Sequence, residues 1–158
     1  MRIQLHDNGK HLAFAPLTFT RPVGDLRVGI FTNVERWNTY LPEAHISFST
    51  EDYLANEFDD ALGDIAVNAC LIPDQAAVDA ILSLKNNEKL AIDGDWLAYR
   101  GTGEILVKYD KADPLMISKR WHLYQHNGQA IELDFELITK GRTTVQLSDT
   151  NMIIGDVN

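Results

Sequence analysis

"DIAVNACLI", residues 64–72, is the run whose reading decides the fold. After Asp64 it is apolar apart from Asn68 and shows no alternation, the pattern of a strand buried on both faces of a parallel sheet. Such a strand needs helices packed on the sheet and parallel neighbours reached by crossovers. Both are legible nearby. Upstream, "RIQLHD" (2–7) alternates as a short strand and "HISFS" (45–49) reads as a second. Between them "TNVERWNTYL" (32–41) predicts a helix. Thr32 can cap it, Glu35 three residues on completes a capping box, and Pro42 ends it. Val34, Trp37, Tyr40 and Leu41 form its apolar stripe. "STEDYLANEF" (49–58) predicts another helix, burying Tyr53, Leu54 and Phe58, and "PDQAAVDAILSL" (73–84) a third, capped by Asp74 with Val78, Ile81 and Leu82 on one face. The alternation predicts an α/β fold with a Rossmann-like, mostly parallel sheet flanked by helices.

From residue 88 the pattern changes. "KLAIDGDWLAYRGTGEILVKY" (89–109) reads as a small insert of three antiparallel strands, turning at Asp93-Gly94-Asp95 and Gly101-Thr102-Gly103. Helical pieces follow at "ISKRWHLYQHN" (117–127) and "GQAIELDFELIT" (128–139), the second with Ala130, Ile131, Asp134, Phe135 and Ile138 along one face. The tail "RTTVQLSDTNMIIGDVN" (142–158) is strand-like and stops on an unfinished apolar phrase, as a piece of a longer chain would.

The 158 residues fit one domain, and 45% hydrophobic with 23% charged residues is ordinary for a globular protein. A net charge of -9 argues against a nucleic-acid partner and against an anionic membrane surface. The single cysteine, Cys70, excludes an internal disulfide and a Cys-rich metal site. With no signal-peptide pattern at the start, a cytoplasmic location is expected.

Few motifs carry chemistry. There is no G-x-S-x-G elbow, and Cys70 inside an apolar strand reads as structural. His122 and His126 stand four residues apart without an H-E-x-x-H pattern and read as ordinary histidines. Asp93 and Asp95 are weak candidates for holding a cation, since a turn explains them as well. The stretch from Leu5 to Gly29 is different, because a loop leaving the carboxyl end of the first strand is where ligands bind in open α/β sheets. Backbone N–H groups around Asn8 and Gly9 could face an anion, with Arg21 and Arg27 adding bidentate contacts. The alternative is a structural crossover in which the two arginines pair with Asp7 or Asp25.

"PLTFTRPVGDLRVGIFTNVERW" (16–37) resembles the start of the GlmU-type sugar nucleotidyltransferases, bifunctional UDP-N-acetylglucosamine pyrophosphorylases joined to a glucosamine-1-phosphate acetyltransferase. "SFSTEDYL", "VNACLIPDQ", the W-x-x-x-x-x-N-G at Trp121 to Gly128, "DFELITKGR" and "LSDTNMIIGDVN" extend the likeness over nearly the whole chain. The resemblance implies a nucleotidyltransferase-like domain over residues 1–145. Residues 146–158 would then begin a linker to a left-handed β-helix of hexapeptide repeats lying beyond the chain.

It implies a nucleotide or sugar-phosphate ligand, with Asn8, Gly9, Lys10, Thr18, Arg21, Asp25 and Arg27 as binding residues, and Mg²⁺ if the domain is catalytic. Chemistry would be transfer of a nucleotidyl group to a sugar 1-phosphate with release of pyrophosphate. Three departures bear on that chemistry. Gly9 is the only glycine where the family has a glycine-rich run, Val23 stands where its lysine follows the proline, and Asn68-Ala69-Cys70 replaces the Gly-Asp whose carboxylate holds the metal. No catalytic residue is assigned. The rival expectation is a degenerate, non-catalytic domain that caps and positions a trimeric acyltransferase β-helix.

Overall fold

The computed structural model describes residues 1–143, 145, 148, 150–152 and 154. The strand-like reading of the tail falls mostly outside them. Strands β1 (Arg2–His6), β2 (His45–Ser49) and β3 (Ile65–Asn68) lie parallel with β1 in the middle. Strands β5 (Glu88–Ile92), β6 (Asp95–Arg100) and β7 (Ile105–Lys108) complete a six-stranded sheet of order β2-β1-β3-β6-β5-β7, in which only β6 runs against the others. Strand β4 (Leu71–Ile72) pairs antiparallel with β8 (Leu115–Met116) in a separate ribbon. This is the expected α/β class. No helix among the described residues is long and apolar enough to cross a membrane.

The deciding run is buried as expected, with Ile65, Val67, Ala69 and Leu71 inaccessible to solvent, but it is two strands. Asn68 breaks it. Its Oδ1 accepts the Cys70 N–H at 3.0 Å, and its Nδ2 donates to the Trp96 carbonyl at 2.9 Å. Asparagine bonds its own backbone two residues on, and so turns the chain. The side chain of Asn33 pins the bend by donating to the carbonyls of Ala69 and Leu71, each at 2.8 Å.

Helix α1 (Asn33–Tyr40) carries the Thr32/Glu35 capping box, and α2 (Gln75–Leu82) is capped by Asp74, which accepts the Ala77 N–H at 2.7 Å. The helix predicted at 49–58 is instead a single 3-10 turn at Asp52–Leu54. The Phe48 N–H donates to the Asp59 carbonyl at 2.7 Å, so the chain returns extended along β2 rather than coiling. Residues 89–109 form strands as expected, yet β7 lies parallel to β5 instead of closing an antiparallel meander. Gly101 and Gly103, both at φ near +65°, wrap the chain beneath Asn87. There the Ile105 N–H meets the Asn87 carbonyl at 2.8 Å and starts β7 on the far side of β5. At this positive φ a side chain is strained, and a Cβ on Gly101 would also lie 2.6 Å from the side-chain oxygens of Asn86 and Asn87, which would have to move.

A short helix α3 (His122–Gln125) leads into α4 (Asn127–Thr139). The inward face of α4 differs from expectation, since Ala130 and Asp134 are buried while Ile131 and Phe135 are exposed. Asp134 is drawn inward by Arg36, which is fully buried on α1. Nε and Nη2 of Arg36 donate to the two Asp134 carboxylate oxygens at 2.6 and 2.7 Å. Arg36 also donates to the Asn33 side chain and the Val28 carbonyl, and Asp134 accepts the Ile30 and Phe31 amides at 2.8 and 3.1 Å.

Losing one partner of a buried, fully bonded pair strands the other charge, at about 3–5 kcal/mol. Arg36→Met is expected to lower urea-unfolding stability by that amount. Asp134→Ala should cost at least as much, because the Ile30 and Phe31 amides lose their acceptor too.

Candidate functional site

Because only β6 is reversed, the carboxyl ends of β1, β2, β3, β5 and β7 share one edge of the sheet, where ligands bind in this fold class. The loop after β1, Asn68, the 93–94 turn and Lys108 all meet that edge. The loop is organised by Asp7, a buried carboxylate immediately after β1. It accepts the Val23 N–H at 2.9 Å and the Thr50 hydroxyl at 2.6 Å, and faces His11 Nδ1 at 3.1 Å. One side chain thus ties the first strand to the 3-10 turn at His11–Phe14, to the turn at Val23–Asp25 and to the exit of β2. Sequence reading treated Asp7 only as a partner for the arginines, a role it does not take.

The expected binding residues divide into three groups. Asn8 and Gly9 adopt left-handed backbone, φ 51° and 65°, in a tight turn. The Asn8 N–H is engaged by His6 Nδ1 at 2.9 Å and the Lys10 N–H by the Asp7 carbonyl at 2.8 Å, so this turn largely satisfies its own donors instead of aiming them at an anion. The Asn8 side chain reaches across the edge to accept from Trp96 Nε1 at 3.0 Å. Thr18 is fully buried, and its hydroxyl donates to the His11 carbonyl at 2.6 Å, a bond internal to the loop.

Arg21, Asp25 and Arg27 form the third group. Arg21 lies 3.7 Å from Asp25, while Arg27 pairs with Glu35 at 3.1 Å and donates to the Ile30 carbonyl. Both arginine side chains stay about half exposed and line one cavity of about 400 Å³ with Pro16, Leu17, Thr20, Leu26 and Leu123. Burial pushes the Asp25 carboxyl above its ordinary range against the pull of Arg21. The Thr32 backbone hydrogen bond and Arg27 hold Glu35 below its own.

The residues present do not fit a magnesium centre. Asp93 and Asp95 are both exposed on either side of Gly94, and among the described residues no three His, Cys, Asp or Glu side chains converge to hold a metal ion. Burial pushes the Cys70 thiol up to about 12, leaving it neutral and sulfur-based where a hard cation needs anionic oxygen. His122 and His126 pack edge to face with centroids 5.1 Å apart.

Sequence reading missed Trp96. Its indole is met edge-on by His6 at 5.7 Å and Tyr99 at 5.3 Å and bonded by Asn8, so it joins the first loop to the β5–β6 hairpin. A tryptophan directly after "DGD" was the one available signal, and its neighbours come from the sheet order.

A family model described as sugar nucleotidyl transferase matches residues 3–143, which include the loop after β1 and both arginines. No curated protein matches the chain.

His6 is half-buried, and burial holds its pKa below the ordinary value against the opposing pull of Asp7. Its Nδ1 accepts from Asn8, so protonation breaks that bond. The unfolded chain therefore binds the proton more readily. Stability should be fully present above the ordinary histidine value and fall as pH drops through it toward the folded value. Thermal melts from pH 7.5 to 5 should show this decline, reduced in His6→Gln. Asp7→Ala should cost about 2–4 kcal/mol in the same assay, because the buried Val23 amide and Thr50 hydroxyl lose their acceptor.

Proposed function

Since the chain belongs to the sugar nucleotidyltransferase family, we propose that it binds a nucleotide or sugar phosphate at the loop between β1 and α1, without the family's metal-assisted transfer. The observation that carries this reading is the convergence of Arg21 and Arg27 on one cavity. Two half-exposed guanidinium groups against apolar walls suit a phosphate with a less polar body attached, since each planar fork matches a phosphate bidentately. Asp25 and Glu35 orient the two forks. Binding without transfer follows from three residues: Val23 supplies no charge where a lysine would offset the departing pyrophosphate, and Asn68 and Cys70 supply no carboxylate for Mg²⁺.

A second reading has its own observation. Phe19, Trp121, Tyr124 and Phe135 are each more than half exposed, aromatic side chains free to pack against another domain. In that reading the domain caps a C-terminal left-handed β-helix and positions it.

Isothermal titration with UTP, dTTP and UDP-N-acetylglucosamine in Mg²⁺ separates the two. Ligand binding is expected, weakened roughly tenfold or more in Arg21→Ala, as befits loss of a charge-assisted hydrogen bond. The melting temperature should barely move, because exposed ion pairs contribute little. Silence across the ligands with a lowered melting temperature in Arg21→Ala supports the capping role instead.

A further inference from the structure

An open sheet has two edges, each a row of backbone groups that another chain can pair with, and here the two differ. At the β2 edge the chain returns alongside. The Phe48 N–H donates to the Asp59 carbonyl at 2.7 Å, and the Ser47 hydroxyl to the Ala61 carbonyl at 2.6 Å. At the other edge β7 ends the strand order, and among the described residues no strand lies beyond it. Strand β7 runs in unbroken register along β5, without proline, and leaves Ile105 56% and Leu106 67% exposed. Its pairing with β5 also fixes which backbone groups point away. The Ile105 and Tyr109 N–H groups donate inward to the Asn87 and Ala91 carbonyls, each at 2.8 Å. Residues of a parallel strand bond to alternate sides, so Leu106 and Lys108 present their N–H and C=O groups outward.

We propose that β7 is a dimerisation edge, pairing antiparallel with β7 of a second copy of this chain about a twofold axis at Leu106. The stretch Glu104-Ile105-Leu106-Val107-Lys108 is its own complement in that register. Leu106 faces Leu106 of the second copy, and because its backbone groups point outward the two residues exchange both hydrogen bonds. Ile105 faces Val107 on the side of the sheet where Val107 and Tyr109 border Ala80 and Ser83 of the α2 region. Glu104 faces Lys108 on the opposite side, and the twofold axis makes that pair twice. Within one strand the two charges stand about 13 Å apart, so they complement each other only between copies. Lysine on an edge strand ordinarily guards against such pairing. Here the register sets a glutamate against it, so the same charge selects an identical strand over others. A twofold contact of this kind uses one patch on both copies and closes at the dimer. It joins two six-stranded sheets into one across the β7 edges.

Sedimentation velocity over about 1–300 µM chain should show reversible monomer–dimer exchange, the weak association expected of so short an interface. Lys108→Glu and Glu104→Lys each set like charges opposite one another twice across the axis. Each should weaken self-association by about tenfold or more. Mixed one to one, the two variants restore both pairs, so a heterodimer should form with the parent's affinity. The double variant Glu104→Lys/Lys108→Glu should likewise self-associate as the parent does. Leu106→Pro removes an outward N–H and leaves the inward ladder to β5 intact, so it should abolish the dimer with circular dichroism unchanged. None of these residues lines the arginine cavity, so the result is independent of ligand binding there. Two results would each overturn the proposal. One is a monomer across the whole range. The other is a dimer that all three charge variants leave unaltered, which would assign the contact to a different surface.

Discussion

One buried ion pair organises this fold. Arg36 sits on the first helix and Asp134 on the last, 98 residues apart, and both are shielded from water. Two charges in that setting persist only if their hydrogen-bonding capacity is met, and here it is met by Asn33, the Val28 carbonyl and the Ile30 and Phe31 amides. The consequence reaches past the pair. The segment from Val28 to Phe31 has few backbone partners of its own, and the charges of Arg36 and Asp134 supply them. Asn127 adds a bond to the Gly29 amide at 2.8 Å. The approach is close enough that a Cβ on Gly29 would lie 2.6 Å from the Asp134 carboxylate. The end of the long loop, the start of α1 and the inward side of α4 are therefore joined by one buried polar cluster.

The other end of the loop is held by Asp7 in the same way, through hydrogen bonds to a backbone amide and a hydroxyl brought from distant segments. Between these two anchors the chain carries Arg21 and Arg27 outward, away from both buried carboxylates. That division of charge is what leaves the arginines on a cavity. The buried acids have partners already, and the partly exposed Asp25 and Glu35 pair with the loop's basic groups.

Elements governed by neighbours within three or four positions were legible in the chain. Thr32 with Glu35, Asp74 before α2, and the positive-φ pair Asp93-Gly94 each act through bonds or backbone preferences confined to a few residues. The mostly apolar run at 64–72 signalled buried strand, as Ile65–Asn68 and Leu71–Ile72 are. Its break at Asn68 did not show, because an asparagine in an apolar strand looks tolerated until Asn33 and the Trp96 carbonyl are seen to hold the bend. The predicted face of α4 failed for a similar reason. Period alone places Ile131 and Phe135 beside Ala130, while the guanidinium of Arg36 decides which side turns inward.

The loop leaving the first strand and membership of the sugar nucleotidyltransferases were legible, the family match running over residues 3–143. Those follow from residue types in order along the chain. What only the tertiary structure decided is the assignment of partners: Asp7 to Val23 and Thr50, Arg27 to Glu35, Thr18 to the loop's interior, and Trp96 to Asn8. The parallel course of β7, which brings Lys108 beside Ala91, belongs with them. A side chain's charge and hydrogen-bonding capacity are written in the sequence, but its partner is whichever complementary group the packed chain leaves within about 3 Å.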